Sequence, residues 1–389
     1  MTSTGPLHGI RVLEVGHILS GPFGGMLLAD LGADVIKIEP IGGDLSRQVG
    51  SSAVDDHNVY FASLNRNKRS VHVDLTTDQG QEQLGELAAT AHALLVNLRP
   101  STIRKLGLDY ESLRRFNPKI VCVALTGYGL NGPAAEWPAF DYVIQALTGV
   151  ADMTGEPDGP PTLAGYSAVD NSAGTMAALG LLAKIVEGKG GQVDVSLYDV
   201  MLSQLNYKAA AYLNGGVAPT RHPLGAHSFY VPAQLFETAA GYLALFVTHD
   251  EFWRRVCVEL DRAEWADDPR FATMQARFEH RDVLLDALGA RLREASAAEW
   301  VDRLRPLGVA VGAVATLADA LDGELVRTRD MVVSMETSDG PLRVVASPIC
   351  FDGTELEYRM PPRLHEHTED LVPPDPPAPD PPKRGGQTS

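Results

Sequence analysis

IRVLEVGHILSGPFGGMLLADLGADVIKIEP, residues 10–40, holds three elements in a row. Ile10 to Val15 is a short, mostly apolar run and reads as a strand. Gly21-Pro22 reads as a turn, Met26 to Leu31 as a helix, and Asp34 to Glu39 as a second strand. Strand, helix and strand in so short a span make a βαβ unit.

The same alternation continues downstream. Ser70 to Asp74 fits a third strand, Asp78 to His92 a helix, Ala93 to Leu98 a strand and Lys119 to Thr126 another. Short apolar runs alternating with helices imply a mostly parallel, helix-covered α/β sheet that binds ligands at the carboxyl ends of its strands. Gly155 to Pro161 is a Gly/Pro-rich loop, Gly174 to Glu187 a helix of small and apolar residues, and Gln192 to Leu197 a further strand. From about Gly225 the texture changes. A strand at Tyr242 to Val247 and helices at Glu251 to Leu260, Arg277 to Glu294 and Ala297 to Leu307 suggest a second, smaller α+β domain. Strand character returns at Leu342 to Ala346, which is expected to rejoin the first sheet. The expected division is 1–224 for the large domain, 225–325 for the small one and 326–372 for a segment returning to the large domain. Residues 373–389 form a polar, Pro-rich tail with too little apolar surface to fold.

Composition narrows the function. With 44% hydrophobic and 21% charged residues in 389, the chain can bury a sizeable core. A net charge of -17 opposes encounters with nucleic acid or an anionic membrane. A phosphorylated ligand would need locally concentrated Lys, Arg or helix N-termini. Cys122, Cys257 and Cys350 are odd in number and far apart, so neither a disulfide framework nor a thiolate metal site is expected, and a reducing cytoplasm fits. No apolar run approaches the roughly 20 residues of a membrane span, and Met1 to Leu7 lacks the pattern of a signal peptide.

Several residues could carry chemistry. Asp170 stands where a loop passes into a helix, and the commonest account of such an Asp is an N-cap. The same geometry orients an ionised carboxylate, and neighbouring Ala and Gly leave room for a substrate. The Gly21-to-Gly25 turn could offer N–H groups to an anion but lacks G-x-G-x-x-G spacing. Glu39 could hold a ribose; a charge in solvent at a strand end is the simpler account. Arg66-Asn67-Lys68-Arg69 and the group Arg99, Arg104, Lys105 are either solvated surface or a site for a phosphorylated ligand. His365 and His367, spaced i, i+2, would share one face of a strand, but no third metal ligand is visible. Neither G-x-S-x-G nor a P-loop occurs.

Taken in order, LHGIRVLEVGHILSGPFGGMLLADLGADVIKIEP (7–40), YFASLNRNKRSVHVDL (60–75), NLRPSTIRKLGLDYESLRRFNPKIV (97–121), GYGLNGP (127–133), FDYVIQALTGV (140–150) and VDNSAGTMAALGLLA (169–183) with GKGGQVDVSLYD (188–199) resemble the class III CoA-transferase family, which includes formyl-CoA and carnitine CoA-transferases. The likeness continues through DDPRFATMQAR (267–277) and PPRLHEHTEDL (361–371). It implies a Rossmann-like large domain built from both ends of the chain, a smaller middle domain, and an interlocked homodimer.

The resemblance places the family's nucleophile on Asp170. Its carboxylate would attack an acyl-CoA thioester to give a mixed anhydride, then an aspartyl-CoA thioester, and finally pass CoA to an acceptor acid. A carboxylate suits this exchange because it is ionised at neutral pH without a general base and trades with other carboxylates almost isoenergetically. No cofactor or metal is needed, CoA thioester being a co-substrate. The CoA-binding positions implied are Ile18, Leu19, Val73, Thr76, Asn97, Leu98, Arg99 and Lys105, with Arg99 and Lys105 meeting phosphates. The acid pocket implied is Leu19, Tyr60 and Phe140. The chain departs from the family at Pro40, where a basic residue often stands, and at Pro138, where formyl-CoA transferases carry a lysine. Leu19 replaces their glutamine and their glycine-rich loop is absent, so a larger, less polar acid than formate or oxalate is expected. A related α-methylacyl-CoA racemase would need a second proton carrier, which Phe140 does not supply. A nicotinamide-dependent dehydrogenase lacks the glycine spacing, and a non-catalytic CoA-binding subunit remains a third alternative.

Overall fold

The computed structural model describes residues 5–50 and 52–372. The Pro-rich tail expected at 373–389 lies outside the described residues. The opening unit is β1 (Arg11–Val15), α1 (Ser20–Asp30) and β2 (Asp34–Glu39), with β1 and β2 parallel and Glu14 directly opposite Lys37. α1 begins six residues before the Met26 expected from the sequence, so the Gly21-to-Gly25 segment is helical and not a turn. Pro22 is tolerated because the first-turn N–H groups have no intrahelical partner. The glycines serve close approach: a Cβ on Gly21 would sit 2.8 Å from Asn97 Cγ, and one on Gly25 would sit 1.9 Å from a Glu14 carboxylate oxygen.

Next come α2 (Val59–Asn65), β3 (Arg69–His72), α3 (Asp78–Thr90), β4 (Ala93–Val96), α4 (Pro100–Lys105), β5 (Val121–Thr126), α5 (Ala168–Glu187) and β6 (Gly191–Ser196). The six strands form one sheet in the order β3-β2-β1-β4-β5-β6, every neighbouring pair parallel. Central strands of such a sheet are covered on both faces, which is why β4 reads ALLV and β5 VCVALT with every residue buried. The direction of strand order reverses between β1 and β4. Their carboxyl ends therefore flank the crevice where open α/β sheets take ligands.

The strand expected to rejoin this sheet does not. Leu342–Val345 pairs with Val332–Met335 in a separate two-stranded sheet, where Met335, Leu342 and Val344 pack on Ala62 of α2. The segment after it does return. His367 N–H donates to Ser70 O (2.9 Å), His365 N–H to Ser70 Oγ (2.9 Å) and His72 N–H to Thr368 Oγ1 (2.8 Å), which covers the open side of the edge strand β3. His365 and His367 thus lie in a turn and not on a strand. Their rings diverge, His365 Nε2 to Pro40 O and His367 Nδ1 to Ser70 N–H.

The described residues divide into two compact units, one within 5–139, 170–200 and 333–372 and one of 140–169 and 201–332. The division expected at 225 and 325 placed 140–169 and 201–224 in the large domain, whereas they belong to the second unit. The second unit holds a three-stranded antiparallel sheet (Ala233–Glu237, Tyr242–Phe246, Ala310–Ala313) packed against helices around the buried Trp253 and Trp300. The single helix expected over Arg277 to Glu294 is two, Met274–Glu279 and Arg281–Leu292, separated at His280. Among the described residues no helix is long and apolar enough to cross a membrane.

Candidate active site

A cavity of about 690 Å³ opens at the carboxyl ends of β1 to β4. Its wall includes Gly16 and His17 after β1, Glu39 at the end of β2 with Pro40 and Asp44 after it, Val73 and Thr76 after β3, and Leu98, Thr102 and Leu106 around α4. Val73, Thr76 and Leu98 were among the expected CoA positions. Arg99 and Lys105 stand exposed at the two ends of α4, each beside a wall residue.

The other expected positions shape the wall without lining it. Asn97 Oδ1 accepts from His17 N–H (3.0 Å), and its amide donates to His17 O (3.0 Å) and Ser20 Oγ (3.3 Å). Ile18 has φ 65°, a left-handed conformation that a β-branched residue adopts only when its surroundings hold it there. Its N–H donates to Asp44 Oδ1 at 3.0 Å. Leu19 is half-buried at the start of α1, its carbonyl accepting from Phe23 N–H at 2.7 Å.

Beneath this loop lies a chain of charges that the sequence reading did not anticipate. The Glu14, Lys37, Asp44 and Lys68 side chains are all fully buried. Lys37 Nζ meets Glu14 (2.8 Å), Asp44 (2.8 Å) and Gly16 O (3.0 Å), while Lys68 Nζ meets Glu14 (2.7 Å) and Pro22 O (2.8 Å). Burial opposes charge on Lys37, yet Glu14, Asp44 and Glu39 raise its pKa above the ordinary lysine value. Burial likewise opposes charge on Asp44, but Lys37 and the N–H groups of Ser46 and Ile18 hold it well below the usual carboxylate range. Burial pulls Lys68 down to about 8, Lys37 adding to the fall and Glu14 opposing it.

Glu39 is not a strand-end charge in solvent: it is 1% exposed and accepts from Arg47 (2.6 Å), Ser70 Oγ (2.6 Å) and Asp44 N–H (2.8 Å). The Arg66-to-Arg69 cluster is neither solvated surface nor a phosphate site. Arg66 is buried on Asp30, Lys68 on Glu14, and Arg69 pairs with Asp34. A charge in the middle of an apolar parallel strand, as at Glu14 and Lys37, is the signal that could have revealed the network.

Asp170 is the third residue of α5, in its first turn and not at the cap, because the helix starts at Ala168. The N–H of Val169 donates to Asp141 at 2.7 Å. One turn after Asp170, Gly174 lets α5 approach α1 backbone to backbone. A Cβ there would lie 2.5 Å from Ser20 O, and one on Gly24 would lie 2.7 Å from Gly174 O. Asp170 therefore stands beside the start of α1. The Tyr60 phenol, on α2, is raised above its ordinary pKa by burial and then by the carboxylates of Asp170 and Asp44. It remains an O–H donor across the neutral range. Phe140 belongs to the second unit and is 67% exposed.

Residues 7–368 match the model of CoA-transferase family III. The chain is 36% identical over 381 residues to succinate–glutarate CoA-transferase of Agrobacterium fabrum, covering 94% of this chain and 95% of that one. It is 33% identical over 371 residues to acetyl-CoA:oxalate CoA-transferase of Acetobacter aceti, with 93% and 94% covered. A CAIB/BAIF family protein from Brucella suis superimposes with TM-score 0.82 at 33% identity over 94% of this chain and 97% of that one. Rv3272 from Mycobacterium tuberculosis does so with TM-score 0.84 at 30% identity over 95% and 100%.

Proposed function

From the premise that the chain belongs to CoA-transferase family III and is an enzyme of that class, we propose that Asp170 is the covalent nucleophile that moves CoA between two carboxylic acids. One Asp170 oxygen attacks the acyl carbonyl of the donor thioester, the C–S bond breaks, and CoA thiolate leaves a mixed anhydride. The thiolate attacks the Asp170 carbonyl carbon, the anhydride C–O bond breaks, and the donor acid departs as its carboxylate. The acceptor carboxylate then attacks the aspartyl thioester and expels the thiolate again. The thiolate takes the acceptor's acyl carbon and Asp170 returns as a carboxylate. Charge and atoms balance without net proton transfer, so no general base is required.

The observation that carries this reading is the place of Asp170. It lies in the first turn of a 20-residue helix, where negative charge is favoured, and beside the start of α1 at the ligand-binding edge of the sheet. The Tyr60 hydroxyl is a donor for the oxyanion that forms at the attacked carbonyl. The cavity after β1 to β4 suits the CoA moiety, with Arg99 and Lys105 at its rim for phosphates. We read Leu19 and Tyr60, both in the first unit, as part of the acid pocket. The two relatives are named for transfer involving succinate, glutarate and oxalate, so a dicarboxylate belongs in the first acid panel. Incubation with acyl-CoA donors and hydroxylamine should leave a hydroxamate on the peptide containing Asp170, read by mass spectrometry; a hydroxamate on another residue would displace Asp170 from the role.

We also infer a homodimer. The helix Asn206–Gly215 buries none of its residues, although Leu213 is 78% and Tyr212 57% exposed. A second copy of the chain is the cover that the class III resemblance implies for such a surface. Sedimentation should give twice the 41.8 kDa chain mass, and a monomer at micromolar concentration would contradict it.

A further inference from the structure

The CoA cavity is bounded by a loop in a conformation its own residues disfavour. Ile18 has φ 65° although it is β-branched, and the side chain leaves this conformation costly for an isolated residue. Glycine would take it freely, but glycine is not what stands there. Something outside the loop must hold Ile18.

Asp44 makes the contact. Its Oδ1 accepts from Ile18 N–H (3.0 Å) and from Ser46 N–H (2.8 Å), while its Oδ2 meets Lys37 Nζ at 2.8 Å. Lys37 also donates to Gly16 O at 3.0 Å, two residues before Ile18. Lys37 is fixed in turn by Glu14, its lateral neighbour in the β1–β2 register, at 2.8 Å. The loop is therefore gripped on both sides of His17, at Gly16 by Lys37 of β2 and at Ile18 by Asp44, which Lys37 itself holds. Asp44 itself lines the cavity, as do Gly16 and His17.

We propose that Asp44 is a positioning residue for CoA binding: fixed by the buried Lys37, it holds Ile18 in the left-handed conformation that gives the cavity wall its shape. The inference rests on the reading of this cavity as the CoA site. Asp44 does not touch reacting atoms; it acts through the backbone of Ile18. Asparagine at 44 keeps the size and an accepting oxygen but loses the charge that Lys37 fixes.

The test is a double-mutant cycle on the full chain, read by calorimetric titration with free CoA. Asp44→Asn is expected to weaken CoA binding about tenfold when residue 18 is Ile, and by less than about twofold in the Ile18→Gly background, where the left-handed conformation needs no support. Equal CoA affinity of the Asp44→Asn and parent proteins would overturn the proposal. So would an equal loss in both backgrounds, which would mark Asp44 as a general structural support. A parent protein that consumes acyl-CoA while a Val73→Trp block of the cavity leaves CoA affinity unchanged would instead remove the cavity from the CoA site, and the proposal with it.

Discussion

Replacing Asp170 with asparagine is expected to lower kcat/KM by on the order of 10³-fold or more while the protein stays folded. The two side chains are nearly the same size, and asparagine is accepted in a first helical turn. The amide, however, cannot act as the carboxylate nucleophile, so neither the anhydride nor the aspartyl thioester forms. A 10³-fold loss corresponds to about 4 kcal/mol of transition-state stabilisation. Steady-state transfer between an acyl-CoA and an acceptor acid measures it, with the urea unfolding midpoint as the control for folding. Full turnover by Asp170→Asn would make another residue the nucleophile. Solvent deuterium entering the α-carbon of the acyl group without CoA transfer would mean that the family's racemase chemistry operates here instead.

The second large effect concerns stability. Lys37→Met should destabilise the protein by about 3–5 kcal/mol, because it removes the cation between two fully buried carboxylates and leaves Asp44 without its ion-pair partner. Glu14 keeps Lys68, so Glu14→Gln added to Lys37→Met leaves a second buried charge unpaired and should deepen the loss, whereas Asp44→Asn added to Lys37→Met should recover part of it. Denaturant unfolding followed by circular dichroism reads these variants, and a change below about 1 kcal/mol for Lys37→Met would show that the network contributes little. The same groups set the acid limit. In Glu14 and Glu39 the pKa is lowered from 4.5 and in Asp44 from 3.8, in each case by neighbouring cations that outweigh burial. Their contribution is fully present above about pH 4.5 and is lost as pH falls through the depressed folded-state values. Asp30, raised by burial against the pull of Arg66, contributes with the opposite sign and is outnumbered.

The parallel sheet was legible because β4 and β5 are buried on both faces and read as unbroken apolar runs, and short strands alternate with helices on either side of them. The start of α1 was not: a Gly-Pro pair reads as a turn, whereas these glycines sit in a helix for the sake of Asn97 and Glu14, which come from other elements. The Glu14–Lys37 pair spans 23 residues and is visible only once the strand register is known. Asp170 by itself looked like a helix cap. The ordered motifs singled it out, and its contact with α1 through Gly174 depends on tertiary packing that no local pattern encodes. Arg66 and Lys68 misled for the converse reason. Basic residues in an acidic chain suggest surface or phosphate, but their partners Asp30 and Glu14 lie 36 and 54 residues upstream.

The segment that covers β3 has a kinetic consequence. Ser70 and His72 bond to His365 and Thr368 across 295 and 296 residues of chain, among the most distant pairings in the protein. As the polypeptide is synthesised from its amino terminus, β3 emerges early and its outer side stays bare until nearly three hundred further residues have followed. At roughly 5–20 residues per second that exposure lasts on the order of 15–60 s, a window in which an open strand can pair with another nascent chain. Slow completion of the sheet thus makes the yield of folded protein sensitive to whatever shields β3 in the meantime.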